Sequence, residues 1–459
     1  MFIVFLQLKG ISQNFDTLVI QGFEFHGLRK TKEWFVRREL RFNEGDKILQ
    51  DEVIQCMELI TSDLRKTNLF LKIEIYPVYL FEETGGVRFK VVVQENWYIY
   101  PSVLFEIADP DFNVWWNEHH RSLKRVNYGF GLNHVNFTGV RDQFKIKLQA
   151  GYLRKLQFLY NRPALFPKSK IGLFSAFYYS EHKEIPIQIT NNKPVYKKLG
   201  DTKIYLNKEA VIGLNFKQNK FWNYAVEVHY FNNKINRQLA TEFPNYFLNE
   251  NYLQIYNLGI VTATYFDMDH ILRPTRGLQL NWTIKKAGLI FGDDLNYLNF
   301  NQTIKACKKI FKNCYLQTNI SGELALVRKQ KPLNIYKGLD YNDTGISGYE
   351  FYEIDGLDFI YNHNEFRYFV GAYTTDFFKR LLRINSFLIK TDLDLSFQFN
   401  SAYINDPFYF QFNSLTNKIL FSLGPGLNFT INEVFQFNIN YSVNHLKEDG
   451  IYFHTRKAF

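Results

Sequence analysis

The sequence predicts a transmembrane antiparallel β-barrel of about sixteen strands preceded by a small α+β domain, and three observations carry that prediction. The chain of 459 residues holds 46 Phe, 30 Tyr and 6 Trp, yet its mean hydropathy is −0.26 and 22% of its residues are charged. A soluble core does not need so many rings. Strands with one lipid face and one wet face do, with Tyr and Trp girdling both membrane interfaces. No run of about 18 consecutive apolar residues is present, which excludes a transmembrane helix. A chain that spans a membrane without one must close into a barrel, because lipid satisfies no backbone polar group. Third, apolar and polar residues alternate with a period of two along most of the chain past Tyr98.

The α+β domain is expected over residues 17–96. An extended segment, 18–26, ends at Gly27, and Thr31 is placed to cap a helix running to about Leu40. After the Gly45-Asp46 turn, Asp51 is placed to cap a second helix. Its Val53, Met57, Ile60 and Leu64 recur at i, i+4, i+7 and i+11 as one apolar stripe, and Cys56 lies on the core side. The period then becomes two. Leu69, Leu71, Ile73 and Ile75 share one face, and after a turn at 82–86 so do Val87, Phe89, Val91 and Val93. The order is β-α-α-β-β, a three-stranded sheet with two helices on one face.

Residues 97–459 are expected to form the barrel. Leu278, Leu280, Trp282 and Ile284 oppose Gln279, Asn281, Thr283 and Lys285. Leu393, Leu395, Phe397 and Phe399 oppose Asp394, Ser396, Gln398 and Asn400, and Phe435, Phe437, Ile439 and Tyr441 oppose Gln436, Asn438, Asn440 and Ser442. A soluble sandwich would bury Val and Ile and expose Lys and Glu. Here the apolar face is Leu, Phe and Trp, and the other is amide and hydroxyl, as a hydrated lumen requires. Sixteen strands allow about 22 residues per strand and connection; the count also tolerates fourteen.

Other features exclude functions or mark candidates. The net charge of +10 is scattered, with no Lys/Arg stripe for nucleic acid. There is no Gly-x-Ser-x-Gly, His-Glu-x-x-His, phosphate loop or Cys-x-x-Cys, so no enzyme, cofactor or metal site is expected. Glu118-His119-His120 is weak as a metal motif, since adjacent side chains on an extended segment point apart. Cys307 and Cys314 either close a small loop or stand unpaired on neighbouring strands. Residues 1–13 resemble the remnant of a secretory signal. Pro101, which cannot donate to a ladder, either starts the first barrel strand, expected at about 97–107, or marks an edge at the barrel seam. The last strand, expected at 450–459, puts Phe453 and Phe459 on one face.

The N-terminal pattern resembles a POTRA domain in Gly27 before Thr31, Arg38-Glu39-Leu40, Gly45-Asp46, Asn68-Leu69-Phe70 and Val91-Val92-Val93-Gln94-Glu95. The barrel resembles that of the BamA/TamA-like outer-membrane assembly superfamily, in a short form with a single POTRA domain. The segment from Ala108-Asp109-Pro110 to Trp115-Trp116 is similar to one found in such short members. Tyr265-Phe266-Asp267-Met268-Asp269, with Arg273-Pro274-Thr275-Arg276-Gly277, resembles the family's Asp-rich strand and the turn after it. Ile346-Ser347-Gly348-Tyr349 falls on the lumen-inserted loop motif, and Asn364-Glu365-Phe366-Arg367 on the strand that receives it.

The resemblance implies an outer-membrane protein of a Gram-negative bacterium with its POTRA domain in the periplasm, assembling, inserting or translocating proteins. Its partners would be unfolded outer-membrane or secreted proteins, periplasmic or lipoprotein accessory subunits, and the bilayer. Clients would pair with the POTRA edge strand that carries Leu71, Ile73 and Ile75, and with a seam at Pro101, Phe453 and Phe459. Two departures matter. The loop's usual Arg is Ser347, and Asn400 stands where a second acidic wall residue is usual. An unpaired buried charge costs several kcal/mol whereas losing both partners is close to neutral, so the changes imply an uncharged latch in which Glu365 pairs with Arg367. A scaffolding subunit and a dedicated exporter of one partner are the other readings.

Overall fold

Strand periodicity governs almost the whole computed structural model, which describes residues 17–80, 85–108, 112, 114–167, 169–200, 202–339, 346–375 and 389–457. The segment 1–13 and Phe459 lie outside these residues. The chain divides into two units by contact. One is Met1–Pro101 with Leu132–Lys145 and Tyr160–Gly172; the other is Ser102–Gly131, Ile146–Leu159 and Leu173–Phe459.

The first unit runs β1 (Thr17–His26), α1 (Glu33–Glu39), β2 (Lys47–Leu49), α2 (Val53–Lys66), β3 (Phe70–Leu80) and β4 (Gly86–Glu95). Its sheet has the order β2-β1-β4-β3, four strands where three were expected. The addition, β2, pairs antiparallel with Thr17–Val19 and buries Ile48. Val53, Cys56, Ile60 and Leu64 of α2 are buried against Phe23, Phe35, Val87 and Phe89, while Met57 of the expected stripe is only partly buried.

Three local expectations fail here. Thr31 does not cap α1, whose N-cap is Lys32 with no side-chain bond; the Thr31 hydroxyl instead meets Tyr98 Oη at 3.1 Å and accepts from Asn136 Nδ2 at 2.9 Å. Asp51 lies inside a 3-10 turn that leads into α2. Leu71 does not share a face with Ile75. A bulge between Phe70 and Lys72 turns Leu71 outward, 69% exposed, while Ile75 is buried.

Distant residues complete this unit. Val140, in the 136–142 turn, belongs to its apolar core. The Lys32 N–H donates to the Gly139 carbonyl at 2.7 Å, and Tyr160 Oη donates to Asp142 Oδ2 at 2.9 Å. Gly139 has φ +91°, and a Cβ there would sit 2.2 Å from the Lys30 carbonyl oxygen, so glycine is required.

Glu95 ties the β1–α1 connection down by accepting from the Thr31 N–H (2.7 Å) and the Lys30 N–H (3.0 Å). Burial pushes its carboxyl up, but the Thr31 hydroxyl and the N–H groups of Thr31, Lys30 and Arg29 outweigh that and hold it below the ordinary range. A carboxyl depressed in the folded state stabilises above its unfolded value near 4.3 and loses that contribution as pH falls through the folded value. Glu95→Ala should therefore destabilise this unit by about 1–3 kcal/mol. In thermal unfolding followed by circular dichroism, it should also remove part of the stability loss below about pH 4.

The barrel strands are β5 (Ile99–Ile107), β6 (Val126–Val135), β7 (Gln143–Gly151), β8 (Leu153–Arg162) and β9 (Ile171–His182). A separate hairpin, β10 (Glu184–Thr190) and β11 (Lys193–Lys198), follows. Then come β12 (Tyr205–Lys217), β13 (Trp222–Ile235), helix α3 (Arg237–Glu242), β14 (Leu253–Met268), β15 (Gly277–Ala287) and β16 (Tyr297–Phe311). The remainder is β17 (Cys314–Ala325), β18 (Asp358–Thr375), β19 (Ile389–Asn405), β20 (Ile419–Ile431), β21 (Phe435–Asn444) and β22 (Asp449–Lys457). Sixteen of them form one sheet in sequence order, with β5 and β22 at its two ends and the hairpin left out. The count is sixteen, and fourteen is excluded.

The expected alternation holds, and it is inverted relative to a soluble protein. Ser396, Gln398 and Asn400 are 7%, 4% and 0% exposed, while Leu395, Phe397 and Phe399 are 48%, 49% and 44% exposed. Polar residues on β20 and β21 are buried in the same way, among them Ser422, Asn428, Gln436, Asn438 and Ser442. Buried amides and exposed rings are stable together only where the outside is hydrocarbon and the inside holds partners or water. No described helix is long and apolar enough to cross a membrane. Cys307 faces Gln317 and Cys314 faces Phe311 across β16 and β17, so the two thiols stand free.

Candidate functional site

The polar interior is bridged at both ends, and the sequence-derived candidates divide between the two bridges. The loop end is the end with the long 326–357 connection; the turn end is the end with the 269–276 turn.

At the loop end, Ile346, Tyr349 and Glu350 are buried against the strand wall. The Ser347 hydroxyl donates to Gln398 Oε1 at 3.2 Å. Asn444 Nδ2 donates to the Gly348 carbonyl at 2.8 Å, and Tyr349 Oη donates to the Phe421 carbonyl at 3.0 Å and also meets His445. Gly348 has φ +93°, and a Cβ there would lie 3.3–3.5 Å from Ser422, Asn444 and Ser442. One charged group joins this contact: Glu350 Oε1 lies 3.2 Å from His454 Nε2 of β22. The loop thus reaches the last strand.

The wall residues named from the sequence are placed differently from expectation. Asn400 is fully buried, but its amide donates to Ser422 Oγ at 3.1 Å and its oxygen meets His363. Glu365 accepts from Asn428 Nδ2 at 2.6 Å. Its pairing with Arg367 is not formed. Arg367, 1% exposed, donates to the Pro274 carbonyl and lies 3.9 Å from Asp394 Oδ2, so it serves the opposite end of the barrel. The loop's own partners are Gln398, two residues along β19 from Asn400, the backbone carbonyl of Phe421 on β20, and Asn444 and His445 at the end of β21. A cavity of about 1010 Å³ lies beside them, lined in part by Lys155, Asn319, His363, Glu365 and Gln398.

A second bridge crosses the loop end. Asn192, at the tip of the β10–β11 hairpin, is 3% exposed with φ +60°. Its amide donates to Ser414 Oγ (2.9 Å) and its N–H to Asn413 Oδ1 (3.2 Å). Its side-chain oxygen accepts from the Leu415 N–H (3.0 Å) and its carbonyl from the Glu353 N–H (2.8 Å). Four bonds to two separate connections make this residue a tie across that mouth.

At the turn end, the 269–276 turn folds onto the wall five strands away. Arg273 forms a bidentate pair with Asp394, Nε–Oδ2 at 2.6 Å and Nη2–Oδ1 at 2.8 Å, its guanidinium 4.4 Å from the Phe369 ring centroid. The Pro274 carbonyl accepts from Arg367 and lies 3.2 Å from the Cys307 sulfur, which donates to it. Asp269 organises the turn by accepting from the Thr275 N–H at 2.9 Å, and His270 reaches Glu433 at 3.1 Å. An arginine–carboxylate latch therefore exists in this barrel, held by the turn and not by the loop.

The seam candidates fall on the terminal strands. Pro101 is the third residue of β5, so it sits within the strand at one end of the sheet order, where a missing donor is tolerated. Val103 and Phe105 on β5 are 86% and 74% exposed, above outward residues flanked on both sides such as Leu395 (48%), Val226 (53%) and Ile360 (54%). Phe453 on β22 stacks on Phe437 at 6.1 Å and meets Phe112 edge-on at 6.3 Å. Phe112 in turn packs on Trp115 and Trp116. The segment after β5 thus lays an aromatic cluster on the last strand, while Asp109–Asp111 and Asn113 fall outside the described residues. His119 follows the short helical stretch Val114–Glu118, its ring 6.4 Å from that of Tyr196. Among the described residues no group of three or more His, Cys, Asp or Glu could hold a metal ion.

Comparison with known proteins agrees with this geometry. No curated protein matches the chain by sequence. In structure it is similar to BamA from Haemophilus ducreyi lacking POTRA domains 1–3, with a TM-score of 0.64 and 14% identity over 95% of this chain and 84% of that one. CdiB from Acinetobacter baumannii gives 0.55 at 11% identity over 96% and 74%, and CdiB from Escherichia coli gives 0.55 at 10% over 95% and 76%. These similarities show a shared fold. Residues 136–338 match the model of the Omp85 superfamily domain, within a sixteen-stranded sheet that shares the fold of these outer-membrane proteins.

Proposed function

We propose that this protein inserts or assembles other outer-membrane proteins by offering them the edge of β5. The carrying observation is the exposure of Val103 and Phe105, which lack the cover that a neighbour on each side gives Leu395 and Phe397. Pro101 weakens ladder closure at the same edge. An incoming strand would gain backbone hydrogen bonds there and lipid contact on one face. The Asn192 tie across the loop end favours sideways release into the bilayer over passage through the barrel. The N-terminal domain, placed in the periplasm, would receive extended clients at β3. That strand ends the order β2-β1-β4-β3 and holds Ile73 and Ile75 inward and Leu71 outward.

A photo-crosslinker at Val103 or Phe105 should capture unfolded barrel proteins during their assembly, whereas one at Phe397 should not. Depletion should lower the abundance of many unrelated barrels. An unchanged outer-membrane proteome would reject the proposal, and loss of one secreted protein alone would favour a dedicated exporter.

One observation favours a second reading, a scaffolding subunit of a larger assembly. Ser347 holds the loop through a neutral bond to Gln398 where an arginine latch is expected of an active insertase. Co-purification at fixed stoichiometry with a larger barrel machine, with no client crosslinks at Val103, would select that reading.

A further inference from the structure

The apolar outer surface extends beyond the ends of β15 and β16. The 288–296 connection between β15 and β16 carries Leu289, Ile290 and Phe291 in succession, 45%, 63% and 105% exposed. This tip is built, not loose. Asp293 Oδ2 accepts from the N–H groups of Leu289 (2.9 Å) and Ile290 (3.1 Å), and its Oδ1 from the Asn257 N–H (3.1 Å) and Nδ2 (2.9 Å). Asp294 Oδ2 accepts from the Ile255 N–H at 2.6 Å. Two carboxylates thus pin the loop to β14 and spend their charge on backbone donors.

The direction of the tip follows from Gly259. A Cβ on Gly259 would lie 3.3 and 3.5 Å from the two methyl carbons of Leu289. Gly259 has the strand phase of Val261, which points outward and is exposed, while Tyr256 and Leu258 in the other phase are buried. Leu289 therefore bends down the outer wall and does not fold over the mouth. Val261 pairs with Ile284 of β15, also outward and exposed, so Leu289, Ile290 and Phe291 continue an existing apolar surface. Lys286, opposite Gly259, turns its ammonium to the Ala287 carbonyl (2.6 Å) and Asn296 Oδ1 (2.7 Å), as a lysine does where hydrocarbon gives way to the polar interface.

We propose that residues 289–291 form a fixed wedge that dips into the leaflet at the loop end, its occupant being lipid hydrocarbon. Among the described residues nothing covers these three adjacent large apolar side chains on their carboxylate-braced loop, and the belt they continue is itself lipid-facing. β14–β16 stand near the middle of the strand order, halfway round from β5 and β22. The wedge would hold the wall opposite the seam at fixed depth. The inference rests on membrane residence of the barrel.

The test uses the full chain with Cys56, Cys307 and Cys314 changed to serine and a single new cysteine, Ile290→Cys, Phe291→Cys or Ile284→Cys. Each carries an environment-sensitive fluorophore, in phosphatidylcholine vesicles with and without lipids bearing a nitroxide high on the acyl chain. Heat-dependent gel migration selects folded protein. We expect blue-shifted, nitroxide-quenched emission at 290 and 291 as well as at 284. Quenching at 284 with water-like, unquenched emission at 290 and 291 would overturn the wedge alone. Water-like emission at all three would instead overturn membrane residence, and the wedge with it.

Discussion

Replacing Asp394 with alanine should expose Cys307 to a membrane-impermeant maleimide and accelerate its alkylation about 100- to 1000-fold. Asp394 is wholly buried and serves two guanidiniums, Arg273 in a bidentate pair and Arg367 at 3.9 Å. Removing one partner of a buried ion pair costs about 3–5 kcal/mol because the remaining charge stays buried and uncompensated. The element that can relax is the 269–276 turn, since Arg367 sits on a central strand paired on both sides. When the turn lifts, the Pro274 carbonyl leaves the Cys307 sulfur, which is otherwise 6% exposed. Arg273→Leu should have a smaller effect, because Asp394 keeps Arg367 nearby. Peptide mass spectrometry separates Cys307 from the more accessible Cys314. A folded Asp394→Ala barrel with unchanged Cys307 reactivity would show that the turn is not held by this latch.

The second large effect is expected at Gly348. A β-branched residue there meets two independent costs. Its φ of +93° lies in the left-handed region, worth about 1–3 kcal/mol. The added carbons also press on Ser422, Asn444 and Ser442 within a packed wall, worth about another 1–3 kcal/mol. Gly348→Val should therefore unseat the loop by about 2–6 kcal/mol. It should break the Ser347–Gln398 and Tyr349–Phe421 bonds and open the 346–352 stretch to added protease while the sheet stays intact. Gly348→Ala should show a smaller shift of the same kind. Equal protease resistance in wild type and Gly348→Val would mean that the loop is not anchored by these contacts.

Most of the fold was legible because strand phase is a local property. Phe397 and Gln398 declare opposite environments by themselves, and sixteen such stretches need no knowledge of partners. The stripe of α2 was legible for the same reason. What failed was set by residues far apart in sequence. Thr31 has the chemistry of a helix cap, yet Asn136, 105 positions away, takes its hydroxyl. Leu71 fits the alternation of β3 until a bulge, invisible in a two-residue period, turns it out. Lys47–Leu49 is too short to announce itself as a strand and exists because β1 offers an open edge.

The candidate site divides along the same line. The loop residues Ile346, Ser347, Gly348 and Tyr349 stood out by motif and do sit against the wall. Their partners were placed by analogy with an ionic latch, and of the observed partners only Gln398 lies near an expected one, two residues from Asn400. Gln398 and Asn444 carried a signal, since both lie in the polar phase of their strands, but nothing in that phase says which amide meets the loop. Arg273 and Asp394 were each visible as charges, with Arg276 and Asp392 close by in sequence. A charge facing the lumen requires a counter-charge, but Asp392 shares the phase of Asp394 and Arg276 the turn of Arg273, so the sequence does not say which pair forms.

The account depends on side chains of β19 alternating between hydrocarbon and the barrel interior. Nitroxide side chains placed singly at positions 395–400 of the reconstituted protein, read by their collisions with oxygen and with a water-soluble nickel complex, measure this directly. Labels at 395, 397 and 399 should favour oxygen, and those at 396, 398 and 400 should be shielded from it, giving an oscillation of period two. Uniform values along the stretch, or an apolar face shielded from oxygen as in a soluble core, would contradict it.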